Sequence, residues 1–201
     1  DQNYSNLQYD VALVCFKSGK LKCSLKYINK AINLTNNSDY FILKSYILLL
    51  NAKYDDAKKI LINYHNPLSL AGQGHIYLAQ NKSNRAIKLL NYSYSKIKIN
   101  NDYISNKYVN NDFLNYFIPL GVGWFYANQN LHTDAIKYYE EIIEKDPNNI
   151  LAKISKINSL IELKELKIAK KLFDKLNKEH PNNNLINLTY KRLNYNKDEY
   201  N

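Results

Sequence analysis

A chain of 201 residues with 45% hydrophobic side chains is too apolar for general disorder, and its five Gly and four Pro are too few for a turn-rich β-sandwich. The formal charge of +10 rests almost wholly on lysines spread along the chain, with Arg only at Arg85 and Arg192, which argues against the clustered basic face of a nucleic-acid reader. The longest apolar run, Tyr46–Leu50, falls far short of the roughly 20 residues of a membrane span.

Paired helices are expected along the whole chain. The first pair, 4–17 and 20–34, carries the two cysteines, Cys15 and Cys23, which could meet across a hairpin. Two small buried hydrophobes is the favoured reading, because free Cys is commonly buried; whether they are bonded stays open. The second pair, 38–50 and 54–64, is short, since Ala57 to Ala86 is only 29 residues. The third, 68–80 and 83–98, precedes about 15 extra residues between Ser93 and Asp112, a loop or a helix extension. The fourth covers 112–128 and 131–145, and Asp146-Pro147-Asn148-Asn149 then stops one helix and caps the next. The fifth covers 149–162 and 165–179, with the same signal at His180-Pro181-Asn182-Asn183. A last helix near 184–195 would cover the open end. Lys, Asn, Ile and Tyr are abundant beside scarce Arg, as in translation of an AT-rich genome, which weakens a functional reading of the charge. The chain lacks Met, so Asp1 is expected to follow a removed leader or an artificial boundary.

The pairs repeat. Gly72-Gln73-Gly74-His75-Ile76-Tyr77, followed by Ala86-Ile87-Lys88, matches Gly121-Val122-Gly123-Trp124-Phe125-Tyr126 and Ala135-Ile136-Lys137 at a displacement of 49. Ala135 to Ala169 and Pro147 to Pro181 are both 34, so 49 is that period with 15 residues inserted. The fullest copy has Pro119, Val122, Gly123, Tyr126, Ala135, Tyr139 and Pro147; others have Leu70, Gly74, Tyr77, Ala86 and Leu90, or Ala169, Phe173 and Pro181, with Ile157 where Gly is usual. Weaker copies have Phe41, Ser45, Leu48, Ala57 and Leu61, and Val11, Ala12, Cys15, Ser24, Ile28 and Ala31.

This pattern resembles the tetratricopeptide repeat. The resemblance implies an all-α fold, an α-solenoid of about five antiparallel helix hairpins in a right-handed superhelix with a C-terminal capping helix. It would form a single domain over 1–201, with repeats at about 5–37, 38–66, 67–112 (with the insertion), 116–149 and 150–183, and the cap at 184–195. In that family the first helix of each repeat lines a concave face where ligands lie. Carried over by alignment, this inner face would hold Tyr9, Leu13, Ile42, Tyr46, Gly72, His75, Leu120, Trp124, Asn128, Ile154 and Asn158. The Lys and Asn set with which some members grip a peptide carboxylate is missing. The groove reads as apolar and aromatic, with Gly72 and Gly121 leaving room for a ligand. Trp124 also has a plain reading as a core residue under the insertion.

No nucleophile with its base is recognisable. His65, His75, His132 and His180 are scattered, with no metal-ligand spacing, and the paired glycines lack the rest of a dinucleotide fingerprint. The acidic residues read as solvated helix faces. The chain is therefore expected to be a non-enzyme without cofactor or metal. It would hold a protein or peptide, with nucleic acid disfavoured and any membrane tether outside the chain. The alternative is a regulatory or sensory module of a larger protein carrying a DNA-binding or enzymatic domain. An exported or lipid-anchored location after leader removal and a cytoplasmic one both stay open.

Overall fold

The computed structural model describes residues 2–99 and 116–181, with 183, 186, 187 and 189. Its helices are α1 (Gln2–Lys17), α2 (Leu21–Leu34), α3 (Ser38–Leu50), α4 (Tyr54–Leu61), α5 (Pro67–Ala79), α6 (Ser83–Ile99), α7 (Phe117–Asn128), α8 (His132–Lys145), α9 (Ile150–Glu162) and α10 (Leu166–Glu179). No strand occurs among the described residues, so the fold is an all-α helical repeat. Two compact units divide at Gly121/Val122.

Each hairpin turns through one left-handed residue: Gly19 (φ 70°), Ala52 (56°), Asn81 (57°), Asn130 (59°) and Lys164 (63°). The spacings of these residues, 33, 29, 49 and 34, equal those of Ser24, Ala57, Ala86, Ala135 and Ala169, so the backbone repeats in register with the sequence. The amide after each left-handed residue closes a long hydrogen bond onto the preceding helix: Lys20 N to Cys15 O at 2.8 Å, Lys53 N to Leu48 O at 2.9 Å, Lys82 N to Tyr77 O at 2.8 Å, Leu131 N to Tyr126 O at 3.0 Å and Glu165 N to Leu160 O at 2.9 Å. This is the Schellman ending, which satisfies carbonyls that a helix end would otherwise leave open. Ala52 occupies it with a Cβ that the conformation disfavours. Ala52→Gly is expected to raise stability by about 1 kcal/mol; an unchanged or lowered urea midpoint would contradict that.

The first helices of several repeats begin on asparagine caps. Asn37 accepts from Asp39 N at 2.9 Å, Asn66 from Ser69 N at 2.8 Å ahead of Pro67, and Asn149 from Ala152 N at 3.1 Å. An Asn-rich composition is put to use here, because each side chain satisfies an amide left over at a helix start.

Within each hairpin a small residue lets the helices approach, and a larger one four positions on fills the space beside it. Ala57, Ala86, Ala135 and Ala169 are fully buried, as are Ile28, Leu61 and Leu90. Ser24 takes the Ala place in the first hairpin and keeps its hydroxyl satisfied by donating to Ala12 O at 2.8 Å. An added Cβ at Gly74 would lie 2.8 Å from Leu90 Cγ and 3.4 Å from the Ala86 carbonyl oxygen. At the counterpart glycine, Gly123, the three atoms nearest an added Cβ all belong to Tyr139, one turn beyond Ala135 along α8, whose ring covers the site.

Cys15 and Cys23, expected as separate small hydrophobes, are joined as a disulfide across the first hairpin. The turn brings their Cα atoms to 5.8 Å, within the usual span of such a bond. Helix α6 continues to Ile99, so the insertion begins as a helix extension; residues 100–115 lie outside the described residues. So does most of the expected terminal helix, of which Ile186, Asn187 and Thr189 are helical and Ile186 packs into the core of Phe173 and Leu176.

Candidate functional site

The expected inner-face residues fall into two groups. In the N-terminal unit, Tyr9, Leu13, Ile42, Tyr46, Gly72, His75 and Leu120 are buried. Tyr9 stacks on Tyr40 with ring centroids 5.0 Å apart. Tyr46 packs on Phe117 at 4.6 Å, and its hydroxyl donates to Leu68 O at 2.8 Å. Burial pushes the phenols of Tyr9 and Tyr46 well above their ordinary value. The glycines thought to leave room for a ligand are filled from within: an added Cβ at Gly72 would meet Leu61 at 2.8 Å, and one at Gly121 would meet Leu90 at 2.6 Å and His75 at 2.7 Å. They serve helix packing.

His75 is buried against Tyr46, Phe117 and the α7 start, with its Nε2 2.8 Å from the carbonyl oxygen of Phe117. A carbonyl can only accept, so Nε2 carries the proton and donates it. Burial drives the imidazole pKa down to about 4, against a smaller upward pull from the Phe117 carbonyl.

The open geometry lies in the C-terminal unit. A cleft of about 450 Å³ is bordered by Trp124, Ala127, Asn128 and Asn130 from α7 and its turn, by His132 and Tyr139 from α8, and by Ser155, Asn158, Ser159 and Glu162 from α9. Three of the expected residues, Trp124, Asn128 and Asn158, meet here; Ile154 instead packs half-buried against the core of Ile157 and Phe173.

The cleft is polar rather than apolar. The Trp124 indole N–H donates to Ser155 Oγ at 2.8 Å, which fixes the ring at the rim half-buried. Ser159 Oγ lies 3.4 Å from His132 Nδ1 and also bonds the Tyr139 phenol, whose pKa burial raises more than that bond lowers it. The side-chain carbonyl oxygen of Asn158 is buried and has no hydrogen-bond partner among the described residues. An unsatisfied buried acceptor costs about 1–3 kcal/mol, so an incoming N–H donor would gain from reaching it. Ala127, Asn130, His132, Tyr139, Ser155, Ser159 and Glu162 were not foreseen as lining. One signal was present: 155, 158, 159 and 162 follow the 3-4-7 spacing of one helix face, a polar stripe beside the apolar residues of that helix.

Among the described residues no three His, Cys, Asp or Glu side chains gather as a metal site, and no helix is long and apolar enough to cross a membrane. Residues 120–149 match the family model of the tetratricopeptide repeat. No curated protein sequence matches the chain. Among solved structures, a thermophilic tetratricopeptide protein of Thermus thermophilus is similar at 13% identity, over 95% of this chain and 99% of that one, with a TM-score of 0.61. PilF of Pseudomonas aeruginosa is similar at 13% identity over 98% and 86%, with a TM-score of 0.52. YrrB, a tetratricopeptide protein with an unusual peptide-binding site, is similar at 16% identity over 92% and 90%, with a TM-score of 0.51. At such identities the likeness is one of fold.

Proposed function

We propose that this chain, which matches a tetratricopeptide repeat over residues 120–149 and shares the fold of such proteins, is a non-catalytic scaffold that holds a segment of a partner protein in the cleft of its C-terminal unit. One observation carries the reading: a half-buried tryptophan and an unsatisfied buried acceptor, Asn158 Oδ1, border the same cleft. A polypeptide supplies both complements, an apolar side chain for the indole face and a backbone N–H for the oxygen. YrrB, which shares the fold, carries a peptide-binding site, in line with this use of the repeat.

Trp124→Ala is expected to weaken the partner by about 2 kcal/mol, as loss of an aromatic anchor does. Asn158→Leu, of similar size but without the acceptor, is expected to weaken it by about 1–2 kcal/mol. The measurement is affinity capture with the wild type and both variants side by side, with circular dichroism confirming unchanged helicity. A partner retained equally by all three would place binding elsewhere.

A further inference from the structure

The positive charge is not spread evenly over the fold. No acidic residue occurs between Asp10 and Asp39, or between Asp56 and Asp102. Helices α2 and α6 accordingly carry Lys22, Lys26 and Lys30, and Arg85, Lys88, Lys96 and Lys98, with no acid on either helix. The lysines of α8 and the two of α9 have partners: Lys137 with Asp134 at 2.6 Å, Lys145 with Glu141 at 3.2 Å, Lys153 with Glu179 at 3.2 Å and Lys156 with Glu140 at 2.6 Å, and on α10 Asp174 and Glu179 stand among the lysines. Lys26, Lys30, Lys88 and Lys96 have no acidic partner among the described residues. Three of them lie over rings: Lys26 at 5.8 Å and Lys30 at 5.2 Å from the Tyr27 centroid, and Lys96 at 5.2 Å from that of Tyr92.

The second helices of the N-terminal unit repeat one arrangement. Residues four apart share a helix face. On α2 that face carries Lys26, Lys30 and Leu34; on α4 and its cap, Lys58 and Ile62; on α6, Lys88, Tyr92 and Lys96. All eight are exposed, with Leu34 at 42%, Ile62 at 52% and Tyr92 at 52%. Each stripe therefore sets at least one lysine beside a large apolar or aromatic side chain in water. Asp55 and Asp56 sit in the first turn of α4, away from Ile62 at its far end.

We infer that this outer face of the N-terminal unit, formed by α2, α4 and α6, docks on an anionic lipid surface. Three features select that occupant. The cations spread over three helices rather than along one groove, which suits a surface more than an extended peptide. They are lysines, compact charges suited to delocalised attraction, with Arg85 the one arginine in the described part of the unit, whereas nucleic-acid interfaces favour the planar fork of Arg. Leu34, Ile62 and Tyr92 stand among them, and such side chains gain by entering the headgroup region beside basic residues. Each lysine near an anionic membrane is worth about fivefold in partitioning.

The test is co-sedimentation of the full chain with vesicles of phosphatidylcholine alone or with about 30% phosphatidylglycerol, at about 50 mM and about 500 mM salt. The expected result is binding to the anionic vesicles at low salt and little to the zwitterionic ones. Reversing Lys26, Lys30, Lys88 and Lys96 to Glu should lower partitioning roughly a hundredfold or more. The same number of reversals at Lys170, Lys171, Lys175 and Lys178, on α10, should lower it less than about tenfold. Leu34→Ser with Ile62→Ser should lower it several-fold and leave the salt dependence in place. Circular dichroism confirms the fold of each variant. No binding at low salt overturns the inference, as does an equal loss from both sets of reversals. Displacement from the vesicles by a duplex DNA or RNA that binds more tightly overturns it in favour of a nucleic-acid surface.

Discussion

Lowering the pH from 7 to 4 is expected to remove about 3 kcal/mol of stability through His75 alone. The unfolded chain would protonate this imidazole near its ordinary 6.5, whereas the folded chain resists until about 4. Between these values the unfolded state binds more protons, so stability falls as pH falls through the window from 6.5 to 4 and is fully present above it. The interval corresponds to about 3 kcal/mol at 1.36 kcal/mol per unit. Its cause is physical enclosure: the ring lies among Tyr46, Phe117, Leu90 and Gly121, and its Nε2 donates to the carbonyl of Phe117. His75→Gln keeps an N–H donor for that carbonyl and removes the titration. The variant's urea stability should therefore fall less than the wild type's between pH 6.5 and 4, by about 3 kcal/mol. Parallel profiles for the two proteins would mean that other groups govern acid sensitivity and that His75 is not enclosed as described. Because the comparison is between slopes, a constant cost of the Gln side chain at neutral pH does not affect it.

Much of the repeat was legible because its packing rule is local. A small residue at Ala57, Ala86, Ala135 or Ala169 and a large one four positions later identify the hairpin, and both are buried as that pattern requires. A helix start was legible at Asn149, where the side chain that caps is written at the boundary. The left-handed turn residues were not, because an alanine, two asparagines and a lysine (Ala52, Asn81, Asn130 and Lys164) share this backbone conformation without a common residue type. Nor was the burial of Tyr46 and His75: both depend on Phe117, which lies 42 positions beyond His75 and reaches it only through the tertiary fold. The inner-face positions were carried over from a family resemblance, which places residues on a face without saying whether the face is covered. At Trp124, Asn128 and Asn158 the cleft leaves them accessible; in the N-terminal unit their counterparts are core. Charge was hardest to read, since an even spread of lysines along the sequence hides where acids are missing. Among the described residues, pairing in three dimensions separates the neutralised lysines of α8 and α9 from Lys26, Lys30, Lys88 and Lys96 of α2 and α6, which have no acidic partner.

Gly123→Leu is expected to destabilise the C-terminal unit by about 3 kcal/mol or more, near the upper range for inserting bulk into a packed core. Gly123 is buried on α7, and even a single added carbon would run into the ring of Tyr139. That ring cannot move aside cheaply. It is 1% exposed, follows Ala135 by one turn of α8, and its hydroxyl is held by Ser159. Relief would have to come from a shift of the helices, which would also disturb the cleft beside them. Gly123→Ala should be milder, because about 1 kcal/mol of improved helix propensity offsets part of the overlap. Trp124, the single tryptophan, is adjacent and gives a fluorescence signal specific to this unit. The decisive measurement is a double-mutant cycle with Tyr139→Leu, which removes the obstructing ring. If Gly123 is required for clearance from that ring, Gly123→Leu should cost at least about 1 kcal/mol less in the Tyr139→Leu background than in the wild type. Equal costs in both backgrounds would show that the leucine meets no ring there, and that close contact between α7 and α8 is not what demands a glycine at this position.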